Sequence, residues 1–206
     1  MFGFAQSRSA IASTLPFRSI AEDTIMSVTH KALKDQVIVL TGASSGIGLA
    51  TAKLAAERGA RLVLVARSAS TLNHLRDEIT SAGGEAISIA ADVADREKML
   101  LVAQEAARHF GRIDTWINDA GVSIYGRLDE VSEEDSRRLF DTNFWGVVNG
   151  SLAALPYLKV NGGALINLGS EVSEAIVPLQ GMYSASKHAV KGFTDALRVE
   201  VEEVDK

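Results

Sequence analysis

Tyr183 and Lys187 stand four positions apart, so any helix that carries them puts both on one face, a single turn from each other. A free phenol titrates near pH 10, too high for efficient proton exchange at neutrality. A neighbouring ammonium favours the phenolate and lowers that value. Tyr–Lys pairs at this spacing are common on ordinary helices, and the pair alone proves little. Ser170 precedes Tyr183 by 13 positions. Asn143 lies on an apolar helical stripe with Phe140 and Val147 a turn away on either side. A buried amide must find partners, which makes Asn143 either a structural clasp or part of a polar relay.

A second stretch suits an anion. Thr41-Gly42-Ala43-Ser44-Ser45-Gly46-Ile47-Gly48 follows the apolar run Val37-Ile38-Val39-Leu40 and opens a helical pattern that stops at Gly59. Strand, glycine turn and helix together place backbone N–H groups and the positive end of a helix dipole against a diphosphate. Gly42 permits the tight turn, Gly46 lets backbone approach a ligand, and Gly48 lets the helix pack on the strand. The lysine of GxxxxGK[ST] is missing, which removes the nucleotide-triphosphate loop. The spacing is also not GxGxxG.

The pattern TGxxxGxG, taken with Ser170, Tyr183, Lys187 and Asn143, resembles the short-chain dehydrogenase/reductase family over residues 36 to 204. The resemblance implies a catalytic tetrad. Tyr183 would be the acid in reduction and the base in oxidation, and Ser170 would hydrogen-bond the substrate oxygen. Lys187 would lower the phenol pKa and bind the cofactor ribose, and Asn143 would hold a proton-relaying water. It also implies a nicotinamide cofactor on Gly42, Ser44, Ser45, Gly46, Ile47 and Gly48, with further contacts from Asp92, Val93, Asn118, Ala120, Gly121, Tyr183 and Lys187. Where an NAD-binding acid would stand, about twenty residues past the turn, the chain reads Val65-Ala66-Arg67-Ser68. An arginine pairs with the extra phosphate of NADP and a carboxylate repels it, so Arg67 favours NADP(H) over NAD(H). Asp92 could instead be a helix cap, a role open to Asp95 as well. At Asn118-Asp119-Ala120-Gly121 the family usually shows two asparagines. Asp119 departs from it and exchanges an amide's donors for an acceptor-only contact.

These residues need a scaffold. Apolar, β-branched runs at 36–41, 61–66, 85–90, 113–118 and 163–168 alternate with helical spacing at 46–58, 69–81, 95–109, 133–158 and 183–203. Continuous apolar strands joined by helices predict a doubly wound parallel α/β sheet, Rossmann-like, in the order 3-2-1-4-5. Gly59, Gly83-Gly84 and Gly111 stand where helices should end, and Ser132 with Asp135 reads as a capping box. Trp116 and Trp145 read as core.

With 47% apolar and 23% charged residues in 206, the chain suits one globular domain. Its net charge of -5 gives no electrostatic case for nucleic acid. It has 0 Cys, which fits a reducing, cytoplasmic setting and leaves no thiolate metal site. His30, His74, His109 and His188 share no ligand spacing, so no metal is expected. No apolar run approaches the ~20 residues needed to span a bilayer. Ser170 is not in a GxSxG elbow, which leaves hydrolase chemistry without support.

Residues 1–34 are unlike the rest. Arg- and Ser-bearing and free of acid before Glu22, they permit a transit peptide, but a disordered extension or an upstream start with Met26 as the natural one is favoured. The domain proper is expected over 35–206. The family's next strand and its Pro-Gly turn do not follow Lys206, so the chain reads as the amino-terminal portion of a longer reductase. A non-catalytic nucleotide-binding fragment is therefore the alternative function. The 164–168 strand is expected as an exposed, uncharged edge prone to aggregation. In the last helix Val190, Phe193, Leu197, Val201 and Val204 make one stripe, and Ala185, Ala189, Gly192 and Ala196 make another of small residues. With the 133–158 helix, that small stripe suggests a homodimer or homotetramer. The expected partner is a small carbonyl or alcohol substrate.

Overall fold

The computed structural model describes residues 31–204, so the expected extension lies largely outside the described residues. Five strands form one parallel sheet in the order β3-β2-β1-β4-β5. They are β1 (Val37–Thr41), β2 (Arg61–Ala66), β3 (Glu85–Ala90), β4 (Thr115–Asn118) and β5 (Ala164–Asn167). The helices are α1 (Gly46–Glu57), α2 (Ala69–Ser81), α3 (Arg96–Phe110), α4 (Glu133–Phe140), α5 (Gly146–Asn161) and α6 (Gly181–Val204). Order and parallel pairing agree with the sequence reading. The strand order reverses between β1 and β4, and ligands bind at the carboxyl edge of such a switch point.

Alternation along β1 shows why the central strands are mostly apolar on both faces. Ile38 and Leu40 pack with Leu62 and Leu64 against Ala52 and Ala55 of α1 and Leu72, Leu75 and Ile79 of α2. Val39 faces the other way, with Val63, Val65 and Trp116, against Met99, Val102 and Ala106 of α3 and Ala153 and Leu158 of α5. With helices on both faces, every residue of β1 is buried. Full burial of one such side chain contributes about 1.5–3 kcal/mol. β5, at the edge, is only half-buried, with Ile166 exposed.

A polar pin secures the amino edge of the sheet. The buried Asp114 carboxylate accepts from the Val37 N–H at 2.9 Å, and it pairs with Lys31 at 2.8 Å and Arg112 at 2.6 Å. With three donors around it, a buried carboxylate there is tolerable. Composition and periodicity gave no sign of it.

Two expectations need correction. The 133–158 segment is not one regular helix, because a π turn at Asp141–Trp145 separates α4 from α5. Such a turn inserts a residue into the α-helical ladder and shifts the phase of the side chains, a feature frequent at functional sites. Trp145, expected in the core, is half exposed. It sits at the end of that turn and lines a surface groove with Phe140 and Met182. Trp116 is fully buried, its Nε1 donating to Asn118 Oδ1 at 2.8 Å.

Candidate active site

Helix starts separate α1 from its neighbours. Ser68, Asp95 and Ser132 cap α2, α3 and α4, accepting from the N–H groups of Thr71, Lys98 and Asp135. Ser45 stands at the same position before α1 and makes no side-chain cap bond. The first N–H groups of a helix have no partner within it. Those of Gly46 and Ile47 have none elsewhere among the described residues. Gly42 has φ +74, and a Cβ there would lie 2.8 Å from Ala120 N. Gly46 has φ +55 and nothing within 4 Å of a Cβ position, so its backbone faces open space. At Gly48 a Cβ would lie 2.3 Å from Gly42 O and 2.6 Å from Asp119 Oδ2. The third glycine thus lets the helix close against its own turn and Asp119, where strand packing had been expected.

The space in front of this turn is a cleft of about 550 Å³, within the usual size of a ligand site. Gly42, Ser44, Ser45, Gly46 and Ile47 form one wall. Arg67 and Ser68 at the end of β2 and Asp92 and Val93 after β3 form the far end. Asp119, Ala120, Gly121, Val122 and Thr142 form the near end. Arg67 is exposed and has no carboxylate partner among the described residues. Asp92 accepts from the Ala94 N–H at 3.0 Å, and Asp95 takes the helix cap. Gly48 is buried behind the wall and does not line the cleft.

Asn118 lies outside the cleft lining. Its amide donates to Asn167 Oδ1 at 2.9 Å and Ser151 Oγ at 3.2 Å, and Asn167 donates in turn to Thr194 Oγ1 at 2.9 Å. This chain of amides and hydroxyls ties β4, β5, α5 and α6 together. Thr41 Oγ1 accepts from the N–H groups of Asp119 at 3.1 Å and Ala120 at 3.2 Å, which fixes the cleft floor. The threonine of TGxxxGxG was the available signal for that role.

Tyr183 and Lys187 share one face of α6 as the spacing required. Lys187 Nζ lies 5.9 Å from the Tyr183 ring centroid and donates to Leu168 O at 2.7 Å. A Cβ on Gly121 would be 4.0 Å from Nζ and 3.4 Å from Asn143 Oδ1, so the near end of the cleft adjoins both side chains. Burial pushes the Lys187 ammonium below its usual range, and the Asp119 carboxylate opposes that shift. Burial likewise raises Asp119, against the Gly48 N–H and Lys187. The acceptor-only contact expected of Asp119 is therefore part of the site's electrostatics.

Asn143 is fully buried on the π turn. Its Oδ1 accepts from the Val122 N–H at 2.8 Å, and its Nδ2 donates to Val122 O at 2.8 Å and to Ser186 Oγ at 3.2 Å. Both amide donors are engaged, so the side chain acts as a clasp between α6 and the segment after β4. Ser186, overlooked in the sequence, links Asn143 to the Tyr183 carbonyl through a 2.7 Å bond. Ser170 follows β5 and caps a short turn, accepting from the Val172 N–H at 3.4 Å. Ser184 Oγ donates to Val172 O at 2.7 Å and fastens that turn to α6. On α6, Val190 and Leu197 are buried, while Ala185, Gly192 and Ala196 face solvent. The Val204 side chain lies outside the described residues. No helix among the described residues is long and apolar enough to cross a membrane.

A model of the short chain dehydrogenase family matches residues 36–205. An uncharacterized oxidoreductase, YxnA of Bacillus subtilis, is 48% identical over 84% of this chain and 49% of its own length. The putative oxidoreductase SadH of Mycobacterium tuberculosis is 39% identical over 81% of this chain and 60% of its own. The chain therefore spans about half to three-fifths of these two relatives. Among solved structures, an alcohol dehydrogenase from Thermococcus sibiricus complexed with 5-hydroxy-NADP has a TM-score of 0.77 and 34% identity, covering 80% of this chain and 71% of that one. A short chain dehydrogenase/reductase from Burkholderia phymatum in complex with NAD has a TM-score of 0.81 and 33% identity, covering 84% and 63%.

Proposed function

This chain belongs to the short-chain dehydrogenase family, and from that premise we propose that it transfers a hydride between NADP(H) and a carbonyl compound or secondary alcohol. The observation that carries the reading is the buried Lys187 ammonium one turn from Tyr183, beside the near end of the cleft. The unengaged N–H groups of Gly46 and Ile47, the open backbone at Gly46 and the cleft volume suit a dinucleotide diphosphate. Bound there, a nicotinamide supplies or accepts the hydride. Tyr183 gives its phenolic proton to the carbonyl oxygen in reduction and takes the hydroxyl proton in oxidation. Lys187, one turn away on the same face of α6, binds the cofactor ribose. Ser170 donates to the same substrate oxygen as charge develops there. Asn143 acts by holding α6 to the segment after β4. Arg67, without a carboxylate partner among the described residues, receives the ribose phosphate of NADP.

Residues 35–206 constitute the cofactor-binding domain in this reading, preceded by an extension and working in the cytoplasm. Two or four copies associate through α6 and the 133–158 segment. Exposed Trp145 and the solvent-facing small stripe of α6 support that surface. Light scattering that shows a monomer across the micromolar range would count against it.

The reading is tested by titrating NADPH and NADH and then following turnover of simple ketones. Tight NADPH binding with ketone-dependent oxidation is expected. Binding without turnover would favour the alternative, a nucleotide-binding portion of a longer reductase.

A further inference from the structure

Two loops at the carboxyl edge of the sheet, after β4 and after β5, meet just before the helix that carries Tyr183. The Gly126 N–H donates to Leu179 O at 2.9 Å. Leu128 packs on Gly181, where a Cβ would lie 2.5 Å from Leu128 Cδ2. Both leucines are nonetheless exposed, Leu128 at 69% and Leu179 at 52%, with Tyr125, Ile176 and Val177 exposed on the same two loops. Leu179 also has φ +66, the only non-glycine residue with positive φ among the described residues. A leucine held in that conformation is strained, and such strain clusters at ligand sites when the surroundings enforce it. Here the Gly126 N–H holds the Leu179 carbonyl, and the apolar side chain stands in solvent.

Charge on the loops narrows the occupant. They carry Asp119, Asp129, Glu130, Glu171 and Glu174 against Arg127 alone. Arg127 is already paired with Asp129 at 3.4 Å and Glu130 at 3.9 Å. On nearby α6, Lys191 pairs with Glu174 and Lys187 keeps its ammonium charge on Leu168 O, yet the acids still outnumber these cations. An anionic substrate would meet net repulsion, whereas an uncharged apolar one would bury leucine surface. We propose that Leu128 and Leu179 form an apolar wall beside Tyr183 that selects uncharged, hydrophobic ketones and the matching secondary alcohols. The inference rests on the reductase reading above.

The test compares butanone, methyl hexyl ketone and levulinate, a ketone bearing a carboxylate, in the full chain with NADPH and in Leu179→Gly and Leu128→Ser. Each added apolar group held by such a wall is worth roughly tenfold or more in kcat/KM. The hexyl ketone is therefore expected to exceed butanone by about that factor, with levulinate last. Either variant should remove about tenfold from the hexyl ketone and leave butanone nearly unchanged. Leu179→Gly relieves the strained φ, so it should melt at the same or a higher temperature while losing selectivity. A purely structural leucine would behave in the opposite way. Equal kcat/KM for the two ketones, or variants that keep the preference, would overturn the wall.

Saturation-transfer NMR of the hexyl ketone on the NADPH-loaded chain reads the wall without turnover. Binding that weakens in Leu179→Gly with no turnover of any ketone would support the wall and sink the reductase reading. No binding would overturn the wall itself. An altered oligomeric mass in Leu179→Gly with ketone binding unchanged would assign the leucines to a second copy and also overturn it.

Discussion

Between Val37 and Phe110 the buried side chains are aliphatic or small except for Thr41, whereas from Asp114 onward the interior takes in Asn118, Asn143, Ser151, Ser184, Ser186 and Lys187. The first region offers a ligand mainly backbone: a glycine turn, a helix without a side-chain cap, and N–H groups without partners among the described residues. The second offers side chains and fixes them through hydrogen bonds that cross β4, β5, α5 and α6. The difference has a physical origin. A diphosphate is bound by many equivalent N–H donors, which any residue except proline supplies, so selection there acts on space and on φ. Moving a proton needs one group of suitable pKa in one place, and burying such a group requires partners for every polar atom around it.

Substitutions in the two regions should therefore fail differently. The largest effect is expected from Tyr183→Phe, which removes the hydroxyl of a half-buried residue in the second region. Ketone turnover should fall about a thousandfold, the scale of a general acid, with NADPH affinity and melting temperature almost unchanged. A variant that kept most of its turnover would break the division of labour. Gly48→Ala, in the first region, should act on the fold and the cofactor together, because its Cβ would meet Gly42 O at 2.3 Å. Overpacking of that kind costs about 1–3 kcal/mol. Thermal melts and NADPH titration should both register it.

Arg67→Asp, at an exposed side chain of the first region, should leave stability alone and reverse cofactor preference. NADPH binding should weaken about tenfold or more, the value of a charge-assisted hydrogen bond. Equal affinity of the unmodified chain for NADPH and NADH would refute the role of Arg67.

Asp119→Asn sharpens the comparison where the regions meet, and its effect is the smallest. Removing the carboxylate leaves burial to act unopposed on Lys187 and lowers its pKa further. The alkaline limb of the pH–rate profile should then move to lower pH. Asp119 itself is raised in the fold, so its charged form costs stability above that raised value, and the cost vanishes below the ordinary aspartate range. The variant should therefore gain melting temperature near neutrality and lose that gain as pH falls. A pH-independent change in melting temperature would place the effect elsewhere.

The regions also differed in how plainly the sequence displayed them. β1 and β2 were legible almost to the residue, because strands covered on both faces must be apolar without interruption. The Tyr183–Lys187 face was equally legible, since spacing on a helix fixes direction. The π turn at Asp141–Trp145 was not, because one inserted residue leaves the run of helix-forming residues intact while rotating the side chains of α5. Trp145 was misplaced for the same reason. Asn118 stood beside the cleft in sequence, yet its side chain turns to Asn167 and Ser151, a choice set by residues 33 and 49 positions away. Leu179 gave no warning either, for leucine is not a residue that signals a left-handed backbone.

The strand order β3-β2-β1-β4-β5 bears on how the chain is made. Emerging from its amino end, it presents β1, β2 and β3 in the order in which they pair, each joined to the last by one helix. That portion can assemble while synthesis continues. β1 has no neighbour on its other side until Thr115–Asn118 appears, with α1, β2, α2, β3 and α3 already in place. Until then a largely apolar strand keeps one row of N–H and C=O groups bare, open to a second nascent chain on the same message. The Asp114 carboxylate, arriving just ahead of β4 and accepting from Val37 N–H, is the first polar contact able to close that gap.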